Sequence, residues 1–184
     1  MSMDIEPFGD AALRMRIAPG RNGRALLESL LRVPGVLDAI VTEEHALVTF
    51  EPGRPPAVEG LASAVRLGLR APDEAEAASP RIVTVRYDGP DLDHVARSVG
   101  LTTREVILAH GAATYEVAFL GFLPGFAYLR GLDARLVIPR RDTPRPRVAA
   151  LSVGIAGPYT GVYPFASPGG WNLLGTAMGI APFD

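Results

Sequence analysis

The chain has 184 residues and a formal charge of −2, from 18 cationic and 20 acidic side chains; every cation is Arg, and Lys and Cys are absent. Without Cys there is no disulfide, thiol nucleophile or Cys-ligated metal, and without Lys no phosphate loop of the G-x-x-x-x-G-K type. With 48% hydrophobic residues and near-neutral charge, the composition describes a globular protein with a real core, not a general nucleic-acid binder, which needs a cationic field.

The first residues, Met1 to Glu6, are acidic and lack the basic and apolar regions of a signal peptide. Ala11 to Ile17 alternates apolar residues with Arg, the mark of a strand with one wet face. Asn22-Gly23 is placed to cap a helix in which Ala25, Leu26, Leu27, Leu30 and Leu31 recur at helical spacing, and Pro34-Gly35 stops it. Val36–Thr42 and Ala46–Phe50 read as a hairpin around a Glu43-Glu44-His45 turn. Pro55-Pro56 then opens a second helix carrying Val58, Leu61, Ala62, Val65 and Leu69. The order β-α-β-β-α is most of a ferredoxin-like unit, with the last strand open. Residues 71–80 are small, acidic and Pro-flanked, a linker between a first domain over 1–70 and a second over 81–184.

Arg81–Tyr87 alternates cleanly and is expected to open the second domain as a strand, followed by a short helix over Asp91–Val99. Thr102-Thr103-Arg104-Glu105 contains a capping box for a helix through Ala109, and Tyr115–Leu120 reads as a strand. Past Gly121, Gly and Pro supply 18 of the last 64 residues, separating short apolar runs at Leu136–Ile138, Leu151–Ala156, Gly161–Tyr163 and Trp171–Leu174. This texture points to a β-barrel or sandwich. Charge shifts at the same place: residues 1–120 hold 12 Arg against 17 acids, and residues 121–184 hold 6 Arg, all between Arg130 and Arg147, against 3 acids. Val148–Phe183 has no charged side chain and no His, so it must pack against something. The longest apolar stretch, Val117–Leu129, is broken by Gly121, Pro124 and Gly125 and is too short for a bilayer, which makes a cytoplasmic protein the expectation.

No metal-ligand spacing joins His45, His94 and His110, and no G-x-S-x-G occurs. The chemistry-bearing candidates are three loops. Gly121–Leu129 sets Phe122, Phe126 and Tyr128 around a Pro-Gly turn, either the lip of a ligand pocket or a tight turn with core aromatics. Pro139–Arg147 holds Arg140, Arg141, Arg145 and Arg147 on a proline-stiffened segment, suited to a carboxylate or phosphate, or paired with the chain's own acids. Thr160–Gly175 brings Ser167, Gly169 and Gly170, whose backbone N–H groups suit an anion or a carbonyl oxygen, next to Trp171 and Asn172; the alternative is a hairpin with a core Trp. His110, just before Gly111, fits a helix C-terminal cap or a general base.

These loops, G-F-L-P-G-F-A-Y-L, R-L-V-I-P-R-R-D-T-P-R and T-G-V-Y-P-F-A-S-P-G-G-W-N-L-L-G, with F-G-D-A-A-L and Y-D-G-P-D-L nearer the N-terminus, closely resemble the family of the bacterial 5-oxoprolinase B subunit. That family also contains allophanate hydrolase subunit 1 and the sporulation-kinase inhibitor protein. The resemblance implies an α+β chain: a ferredoxin-like N-terminal domain, then a cyclophilin-like β-barrel of the carboxyltransferase type. It implies the 5-oxoprolinase C and A subunits as partners, and an ATP-dependent enzyme that opens 5-oxo-L-proline to L-glutamate. ATP would act through the complex, with no cofactor or metal bound by this chain alone. Two alternatives come with the family: a binding module that inhibits a sensor histidine kinase, and an allophanate hydrolase or urea carboxylase component.

Residue chemistry then suggests roles. Arg140, with Arg141 and Arg145, would take the substrate carboxylate or a phosphorylated intermediate. Asn172 and the Ser167–Gly170 amides would take the lactam oxygen, with His110 as a further catalytic candidate. Phe122, Phe126, Tyr128 and Trp171 would wall the site. Three departures from the family pattern stand out. Val148–Val153 lacks the Pro and Gly usual before its Ser, Tyr159 replaces a common Gln, and Thr176-Ala177-Met178 replaces Arg-Thr-Pro. Relatives continue with closing strands, so the barrel is expected to be incomplete at its C-terminus. Exposed edges would then favour a dimer or hetero-oligomer, without nucleic acid or membrane.

Overall fold

Period-two alternation early in the chain becomes one antiparallel sheet. Its strands are β1 (Ile5–Pro7), β2 (Ala12–Arg16), β3 (Asp38–Val41) and β4 (His45–Thr49), in the order β1-β2-β4-β3. The structure, a computed structural model, describes residues 4–17, 23–70 and 80–180. Its contacts divide the chain into two units, Met1–Ser79 and Pro80–Asp184. The expected Asn22 cap, residues 71–79 of the expected linker and the last four residues lie outside the described residues.

In the first unit, helices α1 (Gly23–Leu31) and α2 (Val58–Arg70) carry their apolar stripes onto the sheet. Leu26, Leu30, Leu61 and Val65 pack with Met15, Ala39, Ala46 and Val48. Burying each Leu contributes about 2 kcal/mol, which is what holds helices this short. Gly68 lets the two helix backbones touch, since a Cβ there would lie 2.5 Å from Leu26 Cα. The sheet position beside β2 that the sequence left open is filled by β1, three residues too short to show an alternating pattern. His45 begins β4 and does not belong to the turn; the Thr42 hydroxyl accepts its N–H.

The second unit contains β5 (Thr84–Arg86), α3 (Leu92–Val99), α4 (Thr103–Ala112), β6 (Glu116–Leu120), β7 (Ala127–Arg130), a 3-10 turn (Ala134–Leu136), β8 (Arg145–Val148), β9 (Ser152–Ala156), β10 (Tyr159–Val162), β11 (Ser167–Gly169) and β12 (Asn172–Met178). Six of these strands form an antiparallel sheet in the order β5-β12-β9-β10-β7-β6, and β8 pairs with β11 apart from it. The absence of charge after Val148 has its cause here: β9 is buried at every position, and β12 at all but two. One core gathers Leu92, Val95 and Val106 from the helices against Ile155 and Leu174; a second gathers Phe126, Val148, Tyr163, Trp171 and Leu173.

The Thr102–Glu105 capping box forms as expected, and its helix runs on to Ala112. Leu136–Ile138 is not a strand. Asp133 accepts the Arg135 N–H and turns the chain into the 3-10 segment, leaving Ile138 a single bridge to Gly157. No described helix is long and apolar enough to cross a membrane.

Candidate functional site

Three sequence motifs far apart in the chain meet at one carboxylate. Backbone bonds from Gly89 N to Leu174 O (3.0 Å) and from Asp91 N to Leu173 O (3.1 Å) lay the Tyr87–Asp91 segment along β12. This approach requires glycine on both sides: a Cβ on Gly89 would sit 2.3 Å from Leu173 O, and one on Gly175 2.2 Å from Arg86 O. The Asp91 side chain is thereby carried inside, 3% exposed. Its Oδ2 accepts Leu173 N–H at 2.8 Å; its Oδ1 accepts Arg141 Nη1 and Arg145 Nη2, each at 2.8 Å.

Asp91 stands at the N-cap of α3, where a carboxylate ordinarily accepts a helix N–H. Here it makes no such bond. Burial pushes its acid up, but Arg145, the Leu173 N–H and Arg141 outweigh this and hold it below its ordinary value. Two guanidiniums therefore share one anion. Arg141 Nε and Arg145 Nη1 are covered, with no hydrogen-bond partner among the described residues.

The arginine segment is fixed from behind as well. Arg141 N–H donates to Gly170 O at 2.8 Å, and Asn172 Nδ2 donates to Pro139 O at 2.9 Å. Asn172 is buried, so its amide reaches the segment that carries the arginines and does not face solvent. Of the four guanidiniums expected on display, those of Arg141 and Arg145 turn inward to Asp91, while Arg140 and Arg147 lie on exposed residues. Ser167 and Gly169 belong to β11, paired with Val148 and Arg145 of β8. Tyr163 fills the place a Gly169 side chain would need, its hydroxyl 2.3 Å from that Cβ position. Burial raises the Tyr163 phenol, and Arg140 and Arg145 are near enough to pull it partly back.

Phe126 and Trp171 are buried and meet edge to face, with ring centroids 5.2 Å apart, and Tyr128 packs on both. These are core aromatics. Phe122 is different: it is 57% exposed, stands at φ 69°, and lies at right angles to the rings of Phe126 and Tyr163, with centroids 5.6 and 6.4 Å away. A bulky residue in the left-handed region is uncommon.

His110 lies elsewhere, 4% exposed. The Thr160 hydroxyl donates to Gly154 O (3.1 Å), so it accepts from Nε2–H of His110 (2.8 Å). Nδ1 then accepts the Tyr87 hydroxyl (2.7 Å). With both ring nitrogens engaged, burial holds the imidazole down at about 4. The group ties the segment after β5, through Tyr87, to α4 and β10.

The structure thus brings Arg141 and Arg145 to Asp91, with Gly170 and Asn172 behind them, and sets His110 apart in its own network. Sequence reasoning passed over Asp91 and Tyr163. Asp91 had one local signal, an acid after Pro90 at a helix start, which reads equally as an ordinary cap. A groove in the first unit, lined by Phe8, Arg14, Ile40, Thr42, His45 and Leu47, contains none of the predicted site residues. No cluster of potential metal ligands occurs among the described residues.

Residues 3–182 match the family described as the carboxyltransferase domain, subdomain C and D. The chain is 42% identical to the 5-oxoprolinase B subunit of Escherichia coli O157:H7 over 180 residues, 94% of this chain and 78% of that one. It superposes on TTHA0988 with a TM-score of 0.73 and 38% identity, covering 93% of this chain but only 35% of the other. The urea amidolyase of K. lactis shares the fold, with a TM-score of 0.69 at 15% identity; the match spans 95% of this chain and 13% of that one.

Proposed function

The chain belongs to the family of the carboxyltransferase domain, subdomain C and D, together with the 5-oxoprolinase B subunit, and from that premise we propose that it is the B subunit of an ATP-dependent 5-oxoprolinase, opening 5-oxo-L-proline to L-glutamate only in complex with the A and C subunits. The observation that carries the reading is the pair of guanidiniums on Asp91, with the exposed Arg140 next to Arg141 in sequence. The substrate has one carboxylate and one lactam carbonyl, and a cationic cluster at a rigid turn suits the first.

In this reading Arg140, on an exposed residue, meets the substrate carboxylate first, and Arg141 and Arg145 complete its electrostatic field. Phe122 covers the apolar edge of the lactam ring and keeps water from it. Asn172 acts through Pro139 by fixing the arginine segment, and His110 by locking the frame with Tyr87 and Thr160; both are positioning residues. With Lys absent, this chain offers no phosphate loop of the G-x-x-x-x-G-K type for ATP. Nucleotide chemistry is therefore assigned to a partner subunit, and the reaction to the cytoplasm.

The same reading treats the first unit as a ferredoxin-like domain in which β1 takes the fourth strand position, and the second as a cyclophilin-like barrel. The test is co-expression with the partner subunits, followed by ATP-dependent release of glutamate from 5-oxo-L-proline. Arg140→Ala is expected to lower kcat/KM about tenfold or more, the scale of a lost charge-assisted contact. Release no greater than that of the partners alone would overturn the assignment in favour of a binding module.

A further inference from the structure

Asp91 gives up a bond that its position offers. At the N-cap of a helix, an Asp that accepts no helix N–H leaves a favourable local contact unmade. Departures of this kind from local preference gather at functional sites. What Asp91 does with its three accepted bonds is hold Leu173 on one oxygen and both arginines on the other.

The cluster is not neutral: two cations face one anion, and among the described residues neither arginine has a second carboxylate partner. Nor is it saturated, since Arg141 Nε and Arg145 Nη1 have no acceptor among those residues. A covered guanidinium N–H without an acceptor is costly to keep. One arginine would balance Asp91; the second leaves a positive charge over, and the side chains of Arg141 and Arg145 keep 33% and 24% of their surface open, where an anion from outside can reach them.

We propose that Asp91 is the positioning residue of an oxyanion site, orienting Arg141 and Arg145 so that together they bind one carboxylate or phosphoryl group. The site rests on the preceding reading only for the identity of that group, the carboxylate of 5-oxo-L-proline. Asp91 does not touch the ligand. It sets the angle and spacing of the two guanidiniums, which neither could hold alone on a segment whose other supports are Asn172 Nδ2 on Pro139 O and Arg141 N–H on Gly170 O.

The experiment titrates 5-oxo-L-proline, and separately inorganic phosphate, into the 15N-labelled full chain while the arginine Nε–H resonances are followed. The Arg141 and Arg145 signals are expected to move with 5-oxo-L-proline. Asp91→Asn should weaken binding about tenfold or more, Asp91→Glu less, and the neighbouring Asp88→Asn less than about twofold. In the reconstituted enzyme the same Asp91→Asn change should raise KM more than it lowers kcat. If phosphate alone moves the two signals in an Asp91-dependent way, the oxyanion site stands and the carboxylate reading falls. If neither anion moves them, or if Asp91→Asn and Asp91→Glu bind like the wild type, the proposal is overturned. Should Asp91→Asn fail to fold, the wild-type titration and Asp91→Glu decide the matter.

Discussion

Glycines and strained residues mark where this chain tolerates no alternative. Gly175 lies under Arg86 O, and an alanine there would force β5 off β12, because the clashing atoms are backbone and cannot rotate away. Gly175→Ala is expected to cost about 3 kcal/mol, the upper end of overpacking penalties, read as a lowered urea midpoint. Gly121→Ala is the control: nothing lies within 4 Å of its Cβ position, so the midpoint should stay within about 0.5 kcal/mol of wild type. Leu151, at φ 64°, occupies the left-handed region just before Ser152. It is held in this conformation, which a leucine disfavours, by bonds from its N–H to Tyr163 O and from Ala177 N–H to its O.

At the level of elements, local signals worked where the cause was local. The capping box of α4 needs only residues 102–105: Thr102 Oγ1 accepts Glu105 N–H, and the Glu105 carboxylate accepts Thr102 N–H. Thr102→Ala is expected to lower stability by about 1 kcal/mol, measured as a shift in the thermal midpoint, with α4 fraying first by amide exchange. Helices α1 and α2 were legible because their apolar residues recur at helical spacing. Strand β1 was not, since three residues show no period, and the β8–β11 pair lies in Pro- and Gly-rich sequence that reads as turn. The 3-10 turn at Ala134–Leu136 was missed because an apolar run of three suits a strand equally well; the Asp133 side chain decides it. Of the candidate site, the arginine segment and the Gly169-Gly170 turn were visible as residue types. Their partner Asp91 was not, because a buried acid at a helix start looks like a cap.

Acid stability belongs to the whole chain. His110 titrates at about 4 when folded and near 6.5 when unfolded, so below 6.5 the unfolded state binds the extra proton. Its contribution is full above 6.5 and is lost as the pH falls towards 4, about 3 kcal/mol at the limit. Asp91, lowered from 3.8, adds a second loss below that value. Urea unfolding from pH 7.5 to 4.5 should show the His110 step in the wild type and a flatter profile in His110→Gln, whose stability at pH 7.5 is lower. The same separation explains what each source of information decides. Composition and order by themselves determined an Arg-only chain without thiols, the strand and helix periods, an uncharged C-terminal stretch that had to be buried, and family membership through its motifs. Only the tertiary structure decided which groups meet, since Asp91 finds Arg141, Arg145 and Leu173 across separations of 50, 54 and 82 residues. Periodicity is set by neighbours within a few residues. The pairing of charges is set by how a sheet closes, and that is written in no single segment.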